Sequence, residues 1–330
     1  MDRRELLIGG TALALAANTA AAAQLTPPGD PLNPPGIRVA GIRMLPVRDG
    51  KYKVWTKTMG KGPIKVLLLH GGPGASHDYL EAFESFLPDA GIEMIYYDQL
   101  GCGNSDRPDD ASLWTLEGYL GELEEVRRGL GLEKFVLYGH SWGGLLAIDY
   151  ALKYQQHLSG LVISNMAAGV QAVLKHTARL KDILDPATRK RLDALEAAQD
   201  YDNPEYEQIM MTRLYPVMFC RLQPWPEPLM RAFGGLNQKI YNQMQGKSEF
   251  LVTGNLKDWE RWDRLREIRV RALTIGARYD EMDPADMQKM ATLMPDAQSF
   301  VCPNGAHMCM WDDQAFYFDH LIRWLKGGQA

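Results

Sequence analysis

"KFVLYGHSWGGLLAIDYALKY", residues 134–154, decides the fold. Its first part is a continuous apolar run of strand-forming residues, and its last part carries apolar residues at helical spacing. Between them lies Gly139-His140-Ser141-Trp142-Gly143, a G-x-S-x-G motif. A strand that turns directly into a helix exposes the central serine on a sharp bend, where flanking side chains would collide with the adjacent strand and helix. Glycines at both flanks fit that need, and the context separates this motif from a plain glycine turn.

Similar strand signals recur on either side. "KVLLLH" (65–70), "IEMIYYD" (92–98), "LSGLVIS" (158–164), "VRALTIG" (270–276) and "AQSFVC" (297–302) are short apolar runs bounded by turn formers. Runs without polar alternation suit strands buried on both faces, as in a parallel sheet. Amphipathic segments at 116–130, 142–154, 284–293 and 314–325 separate them, so the fold class is α/β: a mostly parallel sheet flanked by helices. The alternation breaks over 166–254, where helical patterns run without a buried strand, and this block is expected to be an inserted helical cap. The sheet domain is thus expected in two pieces, 37–165 and 255–330.

The first residues belong to neither piece. In 1–23, Arg3 and Arg4 precede a mild Ala-rich run that ends in small residues, the pattern of an export signal peptide; the Arg pair resembles a twin-arginine signal. The run is too short and weakly apolar for a stable membrane anchor. Residues 24–36, rich in Pro and Gly, form a linker. The expected location is therefore periplasmic or secreted. A formal net charge of -5 without any basic run argues against a nucleic-acid partner. Cys102, Cys220, Cys302 and Cys309 show no metal-ligand spacing and are expected as free buried thiols, although Cys302 and Cys309 could pair across a loop.

A serine hydroxyl attacks only when a base removes its proton and an acid holds that base in one tautomer. On a strand-turn-helix nucleophile the chain order is serine, acid, histidine. His320 falls inside the last helical segment, whereas His307 lies on the loop after the last strand and is the expected base. Of the acids in "YDEMDPAD" (279–286), Asp280 directly follows a strand and is the expected triad acid. Asp283 before Pro284 reads as a helix N-cap, and Asp286 sits in that helix's first turn. "HGGPG" (70–74) leaves the first buried strand as a glycine loop. The oxyanion donors are expected to be the amide of Trp142 and that of Gly72 or Gly71.

Six blocks together, "HGGPGASHDYL", "YYDQLGCGNS", "GHSWGG", "NPEYEQ", "EFLVTGNLKDW" and "YDEMDP", resemble the proline iminopeptidase family of α/β-hydrolases, especially its tricorn-interacting aminopeptidase branch. The resemblance spans about residues 50–328. It implies an α/β-hydrolase fold and a serine aminopeptidase that releases an N-terminal residue, proline in the family's name, from short peptides or amino-acid amides. Taken alone, Glu281 reads as a solvated turn residue and Glu249 as a surface residue. The resemblance implies instead that both hold the substrate's free amine, because an ammonium in a dry pocket needs a paired anion. Trp142 departs from the tricorn branch, which has tyrosine there. A carboxylesterase or lactonase would share the triad but would have no use for an amine site. No metal or organic cofactor is called for by this acyl-transfer chemistry.

Overall fold

A computed structural model describes residues 40–248 and 250–330. The expected signal peptide and linker lie outside the described residues.

Eight strands form one sheet: β1 (Ile42–Val47), β2 (Tyr52–Met59), β3 (Ile64–Leu69), β4 (Ile92–Tyr97), β5 (Phe135–His140), β6 (Leu158–Ser164), β7 (Ala272–Ala277) and β8 (Ala297–Cys302). Their order is β1-β2-β4-β3-β5-β6-β7-β8. All six apolar runs of the sequence are strands β3 to β8, paired in parallel. Every residue of β5 and β7 is buried, which is why they lack polar alternation. β1 and β2 escaped the sequence reading. They form an antiparallel hairpin at the sheet edge, closed by Asp49 and Gly50 at positive φ, and their partly exposed residues interrupt any apolar run.

Helices α1 (Leu116–Leu130) and α2 (Trp142–Tyr154) connect the central strands. Thr115 caps α1 through the Gly118 amide, and Gly131 ends it in the left-handed conformation. Between β6 and β7 lie α3 (Val170–Leu180), α4 (Pro186–Ala197), α5 (Pro204–Ile209), α6 (Tyr215–Met218), α7 (Glu227–Gly234) and α8 (Gln238–Met244). A π-type turn, Met210–Leu214, joins α5 to α6. After β7 come α9 (Pro284–Leu293), α10 (Cys309–Asp312) and α11 (Gln314–Leu325). Asp283 caps α9 by accepting from the Ala285 amide at 3.0 Å, with Pro284 in the first turn. His320 sits in α11, bonded through Nδ1 to the Phe316 carbonyl. All four cysteines are buried free thiols. Among the described residues, no helix is long and apolar enough to cross a membrane.

The helical insertion is tied to the sheet domain at loops that end strands. The amides of His307 and Met308 donate to the carbonyls of Met218 and Phe219, at 3.0 and 2.8 Å. The Asn237 amide donates to the Gly74 carbonyl at 2.8 Å. Arg231 in α7 reaches Asp78 and Glu81 of the sheet domain, at 3.1 and 2.6 Å.

Candidate active site

After the β1–β2 hairpin at the edge, the chain passes through β3, moves outward to β4 beside β2, then returns to place β5 on the other side of β3. In open α/β sheets ligands gather outside the carboxyl ends of strands where the order reverses in this way. Leu69 pairs with Gly139, so the loop that starts at His70 and the turn that starts at His140 leave the sheet side by side.

Ser141 occupies that turn with φ 54° and ψ -125°, a strained conformation for a side chain of its kind. Its amide donates to the Ser164 carbonyl at 3.0 Å, and its carbonyl accepts the Gly144 amide at 2.7 Å. A Cβ on Gly139 would lie 2.1 Å from the Gly143 carbonyl oxygen, and one on Gly143 would lie 2.4 Å from that of Leu69. Glycine is therefore required at both flanks by close backbone approach. Gly71 also meets the serine: a Cβ there would lie 3.0 Å from Ser141 Cβ.

The carboxyl ends of β7 and β8 bring Asp280 and His307 together. His307 Nδ1 lies 2.8 Å from Asp280 Oδ1. Asp280 is 1 % exposed and its oxygens are otherwise engaged: Oδ1 accepts the Met282 amide at 3.1 Å, and Oδ2 accepts Asn165 Nδ2 at 2.6 Å. A carboxylate held at both oxygens orients the ring it faces. Ser141, His307 and Glu281 line one cavity together. Glu281 is buried, and its Oε1 lies 3.2 Å from His307 Nε2, so the carboxylate stands at the ring nitrogen that a serine proton would have to reach. Glu249 lies outside the described residues.

The two oxyanion alternatives separate in the structure. The Gly71 amide donates to the Tyr79 hydroxyl at 2.6 Å, whereas Gly72 lines a cavity with Ser141 and Trp142. Gly72 has φ 109°, which only glycine adopts without strain. Gly72, whose amide is not taken by the Tyr79 hydroxyl, and Trp142 both line a cavity with Ser141 and remain the candidate pair of oxyanion donors.

Two buried polar chains hold these loops, and sequence reasoning missed both. In the first, the Tyr79 hydroxyl meets His140 Nδ1 at 3.0 Å, and His140 Nε2 meets the His307 carbonyl at 2.9 Å. Burial, aided by nearby His307, holds the pKa of His140 well below its ordinary value, so the ring is neutral and carries one proton. A carbonyl only accepts, so that proton is on Nε2 and Nδ1 accepts from Tyr79. Burial pushes the Tyr79 hydroxyl well up in pKa, keeping it a donor. The glycine loop and the His307 loop are therefore joined by one unambiguous chain of donors. In the second, the Gln99 side chain donates to the His70 carbonyl at 3.0 Å and accepts the Trp142 indole at 2.8 Å. The only signal available in the sequence was polarity inside apolar blocks: Tyr79 in "HGGPGASHDYL", Gln99 in "YYDQLG" and His140 inside the nucleophile motif.

Two chambers meet at Ser141 and Glu281. One is lined by Met166, Val170, Val173, Thr177 and Leu256, the other by Phe219, Leu229, Phe233 and Tyr241. An apolar space with a buried carboxylate at its junction suits a small substrate that carries a positive charge next to its reacting carbonyl.

A serine at a strand-turn-helix bend, an acid and a histidine on later strand ends, and a glycine loop beside them define a serine hydrolase of the α/β-hydrolase fold. The family model for the alpha/beta hydrolase fold matches residues 65–314. The chain is 45% identical over 291 residues to a proline iminopeptidase of Chitinophaga pinensis, covering 86% of this chain and 97% of that one. It is 42% identical to a proline iminopeptidase of Elizabethkingia meningoseptica, with the same coverage. Among solved structures it superposes on VinJ with a TM-score of 0.82 at 34% identity, covering 87% of this chain and 98% of that one. The proline iminopeptidase of Mycobacterium smegmatis gives a TM-score of 0.80 at 29% identity, with the same coverage. The chain belongs to the proline iminopeptidase family of α/β-hydrolases.

Replacing Tyr79 with Phe would leave the Gly71 amide and His140 Nδ1 buried without partners, each at about 1–3 kcal/mol. Urea unfolding of Tyr79→Phe should show a combined loss of about 2–6 kcal/mol, and kcat should fall more than KM changes. Unaltered stability would mean that the chain of donors is not a structural tie.

Proposed function

We propose that the protein is a serine aminopeptidase that releases the N-terminal residue of short peptides or amino-acid amides through an acyl-enzyme. Ser141 attacks the first carbonyl, His307 takes the serine proton and returns it to the leaving nitrogen, and Asp280 holds His307 in the tautomer with its proton on Nδ1. The amides of Gly72 and Trp142 receive the developing oxyanion. Glu281, with Glu249 as a second ligand, binds the substrate's ammonium and so sets the cut one residue from the amino end. Proline at the first position comes to this chain from the names of its relatives.

The observation that carries this reading is the buried Glu281 carboxylate in the same cavity as Ser141 and His307. An esterase or lactonase built for neutral acyl groups gains nothing from a buried anion there, and bears the desolvation of a charge. The fold alone does not separate the two: a Thermogutta terrifontis esterase shares it with a TM-score of 0.63 at 21% identity. We further propose export through the twin-arginine leader, a reading supported by Arg3, Arg4 and the small-residue end of 1–23.

The choice of acid is tested by a pair of variants. Asp280→Asn should lower kcat by about 10⁴-fold through a wrongly protonated histidine, whereas Asp283→Asn should change kcat little and stability by about 1 kcal/mol or less. The reverse pattern in steady-state assays would reassign the acid. The amine reading is tested with prolyl and alanyl arylamides against their N-acetyl counterparts. Free-amine substrates should be preferred, and kcat/KM should decline as pH rises through the substrate amine's pKa, about 8, where the charge is lost. A preference for the acetylated set would instead make the protein an acyl-group hydrolase. For export, replacing Arg3 and Arg4 with Lys should strand active enzyme in the cytoplasm, measured by fractionation; periplasmic activity equal to wild type would remove the twin-arginine assignment.

A further inference from the structure

Glu281 stands closer to the catalytic machinery than an amine ligand needs to. Its Oε1 lies 3.2 Å from His307 Nε2, while His307 Nδ1 is 2.8 Å from Asp280 Oδ1. The carboxylate thus stands against the nitrogen that has to accept the proton of Ser141, and an anion held there favours the charged imidazolium, the form of the ring that cannot accept that proton. His140 also packs against the ring, with its ring centre 4.7 Å away and its single proton given to the His307 carbonyl.

We propose that Glu281 masks the catalytic base until a substrate ammonium draws the carboxylate away, so that the free amine is required to switch the enzyme on as well as to bind it. The inference rests on the aminopeptidase reading above. Glu281 lines both chambers that meet at Ser141, so a modest rotation of its side chain carries the carboxylate from the ring to a cation in the chamber. Once the carboxylate has left, the imidazolium releases its Nε2 proton to water, and Nε2 turns its lone pair to the serine hydroxyl. A neutral ester offers no cation, so it meets a blocked base. One residue thereby favours aminoacyl substrates and suppresses general esterase activity, which is selectivity by penalising the wrong partner as well as rewarding the right one.

The test reads the serine's reactivity without any amine in the reagent: the rate at which an uncharged fluorophosphonate labels Ser141. Glu281→Ala should be labelled at least about tenfold faster than wild type, the factor that corresponds to 1.4 kcal/mol. Glu281→Met, which keeps the side chain's length without its charge, should behave alike and covers the case of a poorly folded alanine variant. Methylammonium chloride should accelerate labelling of wild type relative to sodium chloride at equal ionic strength, and should leave both variants unaffected. Labelling of folded Glu281 variants at or below the wild-type rate, or a wild type that methylammonium does not accelerate, overturns the proposal. Labelling judges the mask alone, whereas faster hydrolysis of acetylated than of free-amine substrates would remove the aminopeptidase reading itself.

Discussion

The close approach of α2 to β3 and β5 is the constraint on which the site depends. Gly139 and Gly143 let one backbone pass another at distances that no side chain tolerates, and the result is a serine at φ 54° on the reversal point of the sheet. Strain of this kind is worth about 1–3 kcal/mol and persists only where surrounding structure over-determines it. Here the surroundings are a fully buried strand, a helix whose first ten residues are buried, and backbone hydrogen bonds from Ser141 to Ser164 and Gly144. Because β3, β5, β7 and β8 are parallel and share one carboxyl edge, the same sheet then delivers the glycine loop, Asp280 and His307 to that serine.

Precise placement comes from neutral groups. His70 and His140 are both buried with pKa values lowered chiefly by desolvation, and each spends its single proton on a carbonyl while its other nitrogen accepts. Neutral rings with one permitted tautomer fix loop positions without adding charge near the nucleophile. Among the described residues that line the two chambers, the one carboxylate is Glu281, with Asp280 behind the His307 ring. A developing oxyanion therefore meets backbone dipoles and one local ion system, which is the arrangement that keeps electrostatic stabilisation preorganised.

How much of this was legible follows from the length of each signal. Strands β3 to β8 could be located because burial on both faces leaves an uninterrupted apolar run, and four of the five α-helices outside the insertion, all but the short α10, showed helical spacing. β1 and β2 could not, since Arg43, Lys53 and Lys57 break their runs where the hairpin faces solvent. Ser141, Asp280 and His307 were nameable from order and context because Ser141 directly follows β5 and the other two lie on the loops that leave β7 and β8. Asn165 also follows a strand and holds Asp280, yet nothing in "ISNMA" marks its side chain as a partner of a residue 115 positions away. Tyr79 and Gln99 fail for the same reason: their roles are made by loops that meet only in three dimensions. Glu281 lay beside the named acid in the chain, but its approach to His307 depends on a turn geometry that spacing does not encode.

The insertion couples the substrate chamber to the His307 loop. The loop that carries His307 is hydrogen-bonded to the backbone at Met218 and Phe219, and the Phe219 ring lies 5.9 Å from the His307 ring. His307, the proposed base, is thus anchored on one side by His140 and on the other by the helical insertion. Phe219, Phe233 and Tyr241, which line one chamber, belong to that same insertion. A change in the chamber wall is then transmitted to the base through two backbone hydrogen bonds, without a loop flexible enough to absorb it. In a site arranged this way, substrate recognition and base positioning cannot vary independently, and substitutions that alter the preferred first residue should carry kcat with them as well as KM.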